Sequence, residues 1–230
     1  MNDAQIQTAM RAFQANNLAE AARVCQDILR KDPSHFQALY LFGFIHSRFG
    51  HFADAERLIG EAIRINPREP DAHYNRGTML QALDRQQEAL ACFEQALALK
   101  PDFLDAETNR GIVLRALNRH GAALECFDRA LKLKPDDAEN WNNRANALLE
   151  LQRPEDALTS LEKALALQPN YSNAFSNRGV ALLRLYRHVE ALKWFDKALA
   201  SAPGNAVVLN NRGNVLIALR RPNEALSDFE

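Results

Sequence analysis

The sequence predicts an all-α solenoid built from stacked antiparallel helix pairs. Six of the nine prolines, at Pro33, Pro67, Pro101, Pro135, Pro169 and Pro203, are each 34 residues after the last. An alanine recurs twelve residues before each of them (Ala21, Ala55, Ala89, Ala123, Ala157, Ala191) and again at Ala225. Twelve residues earlier still stands a small residue: Ala9, Gly43, Gly77, Gly111, Ala145, Gly179 and Gly213. A fixed period in this range marks a stacked-repeat architecture. The prolines divide the 1–230 array into units 2–35, 36–69, 70–103, 104–137, 138–171 and 172–205, with a seventh begun at 206–230.

Each unit reads as two helices. Apolar residues recur every three or four positions in both halves, as with Leu80, Leu83, Leu90, Phe93, Leu97 and Leu99 in the third unit. That spacing gives each half one apolar face. The two small residues suit the crossing of the helices, where backbones approach closely. The closing proline has no amide hydrogen and ends the second helix. Pro154 and Pro222 fall at the start of second helices, where a missing N–H costs nothing. Thirteen or fourteen helices are therefore expected. In the seventh unit Val215, Leu216, Leu219, Leu226 and Phe229 belong to apolar faces that nothing further in the sequence covers. Fraying or self-association at that end is the expectation.

Composition narrows the function. Residues are 47% hydrophobic and 25% charged, and 28 Lys+Arg against 29 Asp+Glu give a net charge of -1. A general nucleic-acid binder needs a basic face to release counterions, so nucleic acid is not an expected partner. No run approaches the length of a membrane span, and the opening MNDAQIQTAMRAF has no basic start followed by an apolar stretch. Three cysteines (Cys25, Cys92, Cys126) are too few for a disulfide framework and point to reduced thiols and a cytoplasmic setting. The six histidines (His35, His46, His51, His73, His120, His188) show no paired metal spacing. His120 and His188 share one place at the entry to a second helix and read as surface or capping residues. No phosphate-cradling glycine loop is present, so no catalytic residue, metal or cofactor is expected.

The unit 70–103, PDAHYNRGTMLQALDRQQEALACFEQALALKPDF, carries small residue, alanine, aromatic, Ala-Leu and proline at the offsets of the tetratricopeptide repeat family. The chain resembles that family over nearly its whole length. The first unit departs most, with Gln5 and Thr8 where large apolar residues are usual, as befits a repeat with no preceding neighbour. The resemblance implies a right-handed superhelix whose first helices line a concave groove. It also implies that the second, fifth, sixth, ninth, twelfth and thirteenth positions of each unit face that groove.

At those positions one residue type recurs. The sixth is Asn in five successive units: Asn75, Asn109, Asn143, Asn177 and Asn211. Asn142, Asn146, Asn210 and Asn214 stand on nearby groove positions. Helix propensity does not ask for asparagine. Its amide donates and accepts, matching the N–H and C=O of a peptide backbone. Packed helices roughly 8–10 Å apart would place one Asn against about every third residue of an extended chain. A solvated helix face, or duplication of a neutral Asn, would leave the same row. Asp71, Asp105 and Glu139 hold the second position of three successive units, while Arg48, Arg115 and Arg184 sit deeper. The basic clamp by which chaperone-binding members hold a terminal carboxylate is not supported here, because the sixth position is never basic. Aromatics cluster in the second unit, where Tyr40 and Phe44 fall on groove positions and suggest an apolar end-pocket.

The asparagine row is also the feature by which the groove resembles the repeat arm of O-GlcNAc transferases. The opening CQDILRKDPSHFQALYLFGFIHSRFGHFADAERLIGEAIRINP resembles bacterial proteins that join such repeats to a glycosyltransferase domain. Two functions follow as expectations: a non-catalytic scaffold binding protein or unstructured peptide in the groove, or the substrate-recruiting arm of a larger glycosyltransferase that continues past Glu230. The candidate peptide-binding residues are Asn75, Asn109, Asn143, Asn177, Asn211, Asn146, Asn214, Asp71 and Asp105. A second row is expected to be structural. Arg76, Arg110, Arg144, Arg178 and Arg212 occupy the seventh position, each with an acid eighteen residues later: Glu94, Asp128, Glu162, Asp196 and Glu230. The co-occurrence suggests an ion pair between the two helices of one unit, unless shared descent alone produced it.

Overall fold

The computed structural model describes residues 2–229, with side chains from 4 to 228. It divides after Leu117 into two compact units. The first contains α1 (Asn2–Gln14), α2 (Leu18–Lys31), α3 (Phe36–Arg48), α4 (Phe52–Ile65), α5 (Pro70–Ala82), α6 (Gln86–Leu99) and α7 (Leu104–Ala116). The second contains α8 (His120–Leu133), α9 (Ala138–Glu150), α10 (Pro154–Leu167), α11 (Ser172–Arg184), α12 (His188–Ser201), α13 (Ala206–Ala218) and α14 (Pro222–Phe229). Described residues thus form fourteen helices, and α1 with α2, α3 with α4 and α5 with α6 in the first unit, and α9 with α10, α11 with α12 and α13 with α14 in the second, pack as the pairs that the 34-residue period predicts.

The boundaries follow from local chemistry. Each long second helix stops two residues short of its proline, because the residue before proline is pushed into extended backbone. Asp32, Asn66, Lys100, Lys134 and Gln168 accordingly have φ between -126° and -139°. First helices end differently. The fifteenth position of every unit is left-handed, at Asn16, Gly50, Asp84, Asn118, Gln152, Tyr186 and Arg220. The following amide then reaches back to a carbonyl five residues earlier, as Arg85 N–H does to Leu80 O at 2.9 Å and Arg187 N–H to Leu182 O at 2.9 Å. This is the glycine-type helix stop, filled by glycine only at Gly50. At Gln152, Tyr186 and Arg220 the conformation carries a steric cost of about 1–2 kcal/mol.

Within a pair, the helices cross where the sequence places its small residues. A Cβ at Gly77 would stand 2.6 Å from Phe93 Cε1, and one at Gly179 would stand 2.5 Å from Phe195 Cε1. Both phenyl rings are fully buried, so only glycine leaves room for them. In the fifth repeat the same place holds Ala145, and the residue corresponding to those rings is the smaller Leu161, also buried. Leu80, Leu90 and Leu97 join the core as expected. Leu99 does not: it is 39% exposed, as are its counterparts Ile65, Leu133 and Leu167 to similar degrees. They are the last helical residues before the proline turn, and no further helical turn follows to cover them. In the seventh repeat Val215 and Leu216 are buried, whereas Val207, Ile217 and Leu226 stay more than half exposed. The side chains of Phe229 and Glu230, both of which carried expectations, lie outside the described residues.

At Arg76, Arg144, Arg178 and Arg212 the arginine row pairs with the repeat before its own, while Arg110 meets Glu107 of its own helix at 3.5 Å. Arg144 donates to Asp128 at 2.6 Å, Arg178 to Glu162 at 3.3 Å and Arg212 to Asp196 at 2.9 Å. Each acid is sixteen residues before its arginine, on the second helix of the preceding repeat, rather than eighteen after it. The seventh position faces back across the repeat boundary, so the ion pair joins neighbours. Arg76 meets Gly60 at that place and turns to Glu56 at 2.7 Å instead. Arg212 also donates to buried Asp228, an acid sixteen residues later.

Candidate functional site

The candidate site is the row of asparagines on the first helices, and its geometry is a set of rungs between successive repeats. Asn75 on α5 donates its amide hydrogen to the Tyr40 hydroxyl on α3. Asn109 on α7 donates to the Tyr74 hydroxyl on α5 at 3.1 Å. In the second unit Asn177 on α11 donates to Asn142 Oδ1 on α9 at 2.8 Å. The spacing is 35 residues each time, from the sixth position of one repeat to the fifth of the repeat before it. Asn142 and Tyr40 stand on groove positions in the sequence, but their pairing with the asparagines is visible only in the fold.

These bonds leave chemistry unspent. Tyr40 and Tyr74 accept the asparagine N–H, so each hydroxyl hydrogen remains available to donate. Each paired asparagine keeps its Oδ1 as an acceptor. Tyr40 stacks on Phe36 with centroids 5.9 Å apart, and Tyr74 is flanked by Phe93 and Phe103 at 5.9 and 4.9 Å. Burial pushes the Tyr40 phenol up to about 12, and the Asp71 charge pushes the same way against the opposing pull of the Asn75 bond. Tyr74 is raised by the same causes in the same order, with Asp105 and Asn109 in those roles. Both hydroxyls therefore stay protonated donors at neutral pH. Exposed Asp71 and Asp105 thus belong to the first two rungs, each close enough to act on a tyrosine.

The remaining candidates are less organised. Asn143 is half-buried, and its Nδ2 has no hydrogen-bond partner among the described residues. Asn211 and Asn146 are half-buried and Asn214 is exposed. Asn142 is buried, so the third rung presents less to solvent than the two tyrosine rungs. Phe44 lies edge-on to Phe13 with centroids 5.6 Å apart, an aromatic contact on the same face. Arg184 donates to the Leu149 carbonyl near the C-terminus of α9, where a cation is favoured by the helix dipole.

No group of three His, Cys, Asp or Glu side chains among the described residues is placed to hold a metal. All three cysteines are buried, and burial alone pushes the Cys25 thiol up to about 12, far from the thiolate a nucleophile needs. His120 and His188 open α8 and α12 half-buried, with the Nδ1 of each unpartnered, so neither caps its helix. His35 does cap, accepting from the Ala38 amide at 3.3 Å. No helix among the described residues is long and apolar enough to cross a membrane.

The tetratricopeptide repeat pattern matches residues 12–83, 70–103, 102–170 and 142–206, which together run from 12 to 206. Among curated proteins, no relative matches the chain in sequence. Solved structures match in fold. A tetratricopeptide repeat protein from Parabacteroides merdae is 17% identical with a TM-score of 0.80, over 99% of this chain and 90% of its own. A MamA fragment from Desulfovibrio magneticus is 22% identical with a TM-score of 0.70, over 74% of this chain and 96% of its own. YrrB, described as having an unusual peptide-binding site, is 24% identical with a TM-score of 0.59, over 74% of this chain and 88% of its own.

Proposed function

Because the chain belongs to the tetratricopeptide repeat family, we propose that it is a non-catalytic protein-interaction scaffold that holds extended polypeptide along the inner face of its first helices. The observation that carries this reading is the rung itself. Tyr40 with Asn75, and Tyr74 with Asn109, each present one free hydroxyl donor beside one free amide acceptor. A peptide unit offers the complementary pair, one C=O and one N–H. The tyrosine rung occurs twice, one repeat apart, and its side chains are locked by ring contacts and by their own hydrogen bond. Such a surface grips backbone without reading side chains, and the protein partner is recognised mainly by being unfolded. YrrB is described as having a peptide-binding site, which supports this use of the fold.

The test separates the rung from the helix that carries it. Tyr40→Phe with Tyr74→Phe keeps both stacked rings and removes only the hydroxyls. Binding of an uncharged Gly/Ser/Ala peptide should weaken by about three- to tenfold per lost hydrogen bond, taking ~0.5–1.5 kcal/mol each, with the helical circular dichroism unchanged. Replacing Asn109, Asn143 and Asn177 together by Ala should weaken it as well. Unchanged affinity in both variants would reduce the row to a solvated face. The resemblance to the arm of O-GlcNAc transferases is a narrower form of this proposal. It stands or falls on whether a parent reading frame encodes a nucleotide-sugar-binding domain.

A further inference from the structure

A second surface, sharing none of the first-helix inner positions, has different chemistry. On α12 of the sixth repeat, Trp194 stands at the place held by Leu58, Cys92, Cys126 and Ser160 in the four repeats before it. Those four side chains are buried, while Trp194 remains half-exposed. Its indole packs on Phe175 of α11 with centroids 5.6 Å apart. Together with Leu165, Pro169, Asn170 and Lys197 the two rings line an open cleft of about 430 Å³. That volume falls within the range of sites that hold a bound group. The large residue occurs in this repeat alone, so the cleft is not a by-product of the period.

The charge at its mouth is one-sided. The Arg178 guanidinium lies 4.5 Å and the Lys197 ammonium 4.3 Å from the Trp194 ring centre. Both are within the range of cation–π attraction. Arg178 is paired with Glu162 at 3.3 Å. Lys197 has no carboxylate partner among the described residues, and no acidic side chain lines the cleft. An ammonium held over aromatic faces beside an apolar hollow is half of an ion pair. What completes it is a carboxylate carried next to an apolar side chain.

We propose that this cleft docks an acidic peptide segment, seating an apolar side chain against Trp194 and Phe175 and a neighbouring carboxylate on Lys197. It rests on the scaffold reading for the class of partner but uses a separate surface. Trp194 is its own reporter once the other tryptophan is replaced. In a Trp141→Phe background, a Gly/Ser peptide with a central Leu-Glu-Glu should change Trp194 emission saturably. The same peptide with Leu-Gln-Gln, or with Gly-Glu-Glu, should titrate the Trp194 emission about tenfold more weakly or not at all. Lys197→Gln, an exposed and fold-neutral change, should weaken the Leu-Glu-Glu peptide by about tenfold, and Lys197→Arg should restore most of it. Equal binding of the Leu-Gln-Gln peptide, equal affinity of Lys197→Gln, or no saturable signal overturns the cleft. Tyr40→Phe with Tyr74→Phe should leave this affinity unchanged. If that pair abolishes acidic-peptide binding while Lys197→Gln does not, the cleft is rejected and the rungs stand. If the uncharged peptide fails on the rungs while the acidic peptide still titrates Trp194, the cleft stands without them.

Discussion

Two kinds of junction hold these repeats together, and they are built from opposite chemistry. Inside a helix pair the contact is dry and matched in size: Gly77 under Phe93, Gly179 under Phe195, Gly43 under Ile59. Between successive first helices it is polar and half-exposed: Tyr40 to Asn75, Tyr74 to Asn109, Asn142 to Asn177. The first junction tolerates only compensated change, because a single added carbon lands inside a ring. The second contributes modest stability per bond and so is free to carry recognition. Under the proposed function, stability and binding fall on different positions of one 34-residue unit.

The largest effect should come from emptying the dry junction. Phe93→Ala removes a fully buried ring and is expected to cost about 3–5 kcal/mol, read as a lowered urea midpoint. A cost below about 1 kcal/mol would erase the distinction between the junctions. Overfilling comes next. Gly179→Ala should cost about 1–3 kcal/mol, and adding Phe195→Leu should return much of it, since the fifth repeat already combines Ala145 with Leu161. No recovery in the double variant would mean that ring size is not what demands the glycine. The polar seam should respond less: Asn109→Ala is expected to cost about 0.5–1.5 kcal/mol. The boundary ion pair is weaker still. A double-mutant cycle on Arg144 and Asp128 should give about 0–1 kcal/mol and shrink with added salt, because Asp128 is 44% exposed.

The last expected effect leaves neutral pH untouched. Tyr40 is raised in the fold above an unfolded phenol near 10, so its contribution is complete below about pH 10. It is lost as pH rises towards about 12, where the ionised form favours the unfolded chain. Ultraviolet titration should show a late-ionising phenol that vanishes in Tyr40→Phe. A phenol ionising at its ordinary position would mean that Tyr40 is solvated and its rung open.

Much of this was legible in the sequence because it is local. A 3.6-residue period, a proline that forces its predecessor out of helix, and small residues at the crossing act within one or two turns of chain. They specified helix pairs, boundaries and the Gly77 and Gly179 contacts. The left-handed stop at the fifteenth position was only half legible: Gly50, Asn16, Asp84 and Asn118 signal it, but Gln152, Tyr186 and Arg220 do not. Those three adopt it at the same place in the repeat, with the same backward hydrogen bond from the following amide.

What lay beyond the sequence was every choice between neighbours. Arg144 had an acid eighteen residues ahead and another sixteen behind, and composition cannot rank Glu162 against Asp128. The stack decides, because the seventh position faces the preceding repeat. In the same way the asparagines stood in a visible row, but their partners at the fifth position are set by the offset between successive first helices. Trp194 reads in sequence as one more core aromatic at helical spacing. Only the packing of α11 against α12, with Lys197 left unpaired above the ring, makes it the wall of a cleft. The sequence by itself determined the repeat and its pairs, since those follow from bonds and contacts within a few turns. The tertiary structure alone decided which polar groups meet across repeats and which are left with something to offer.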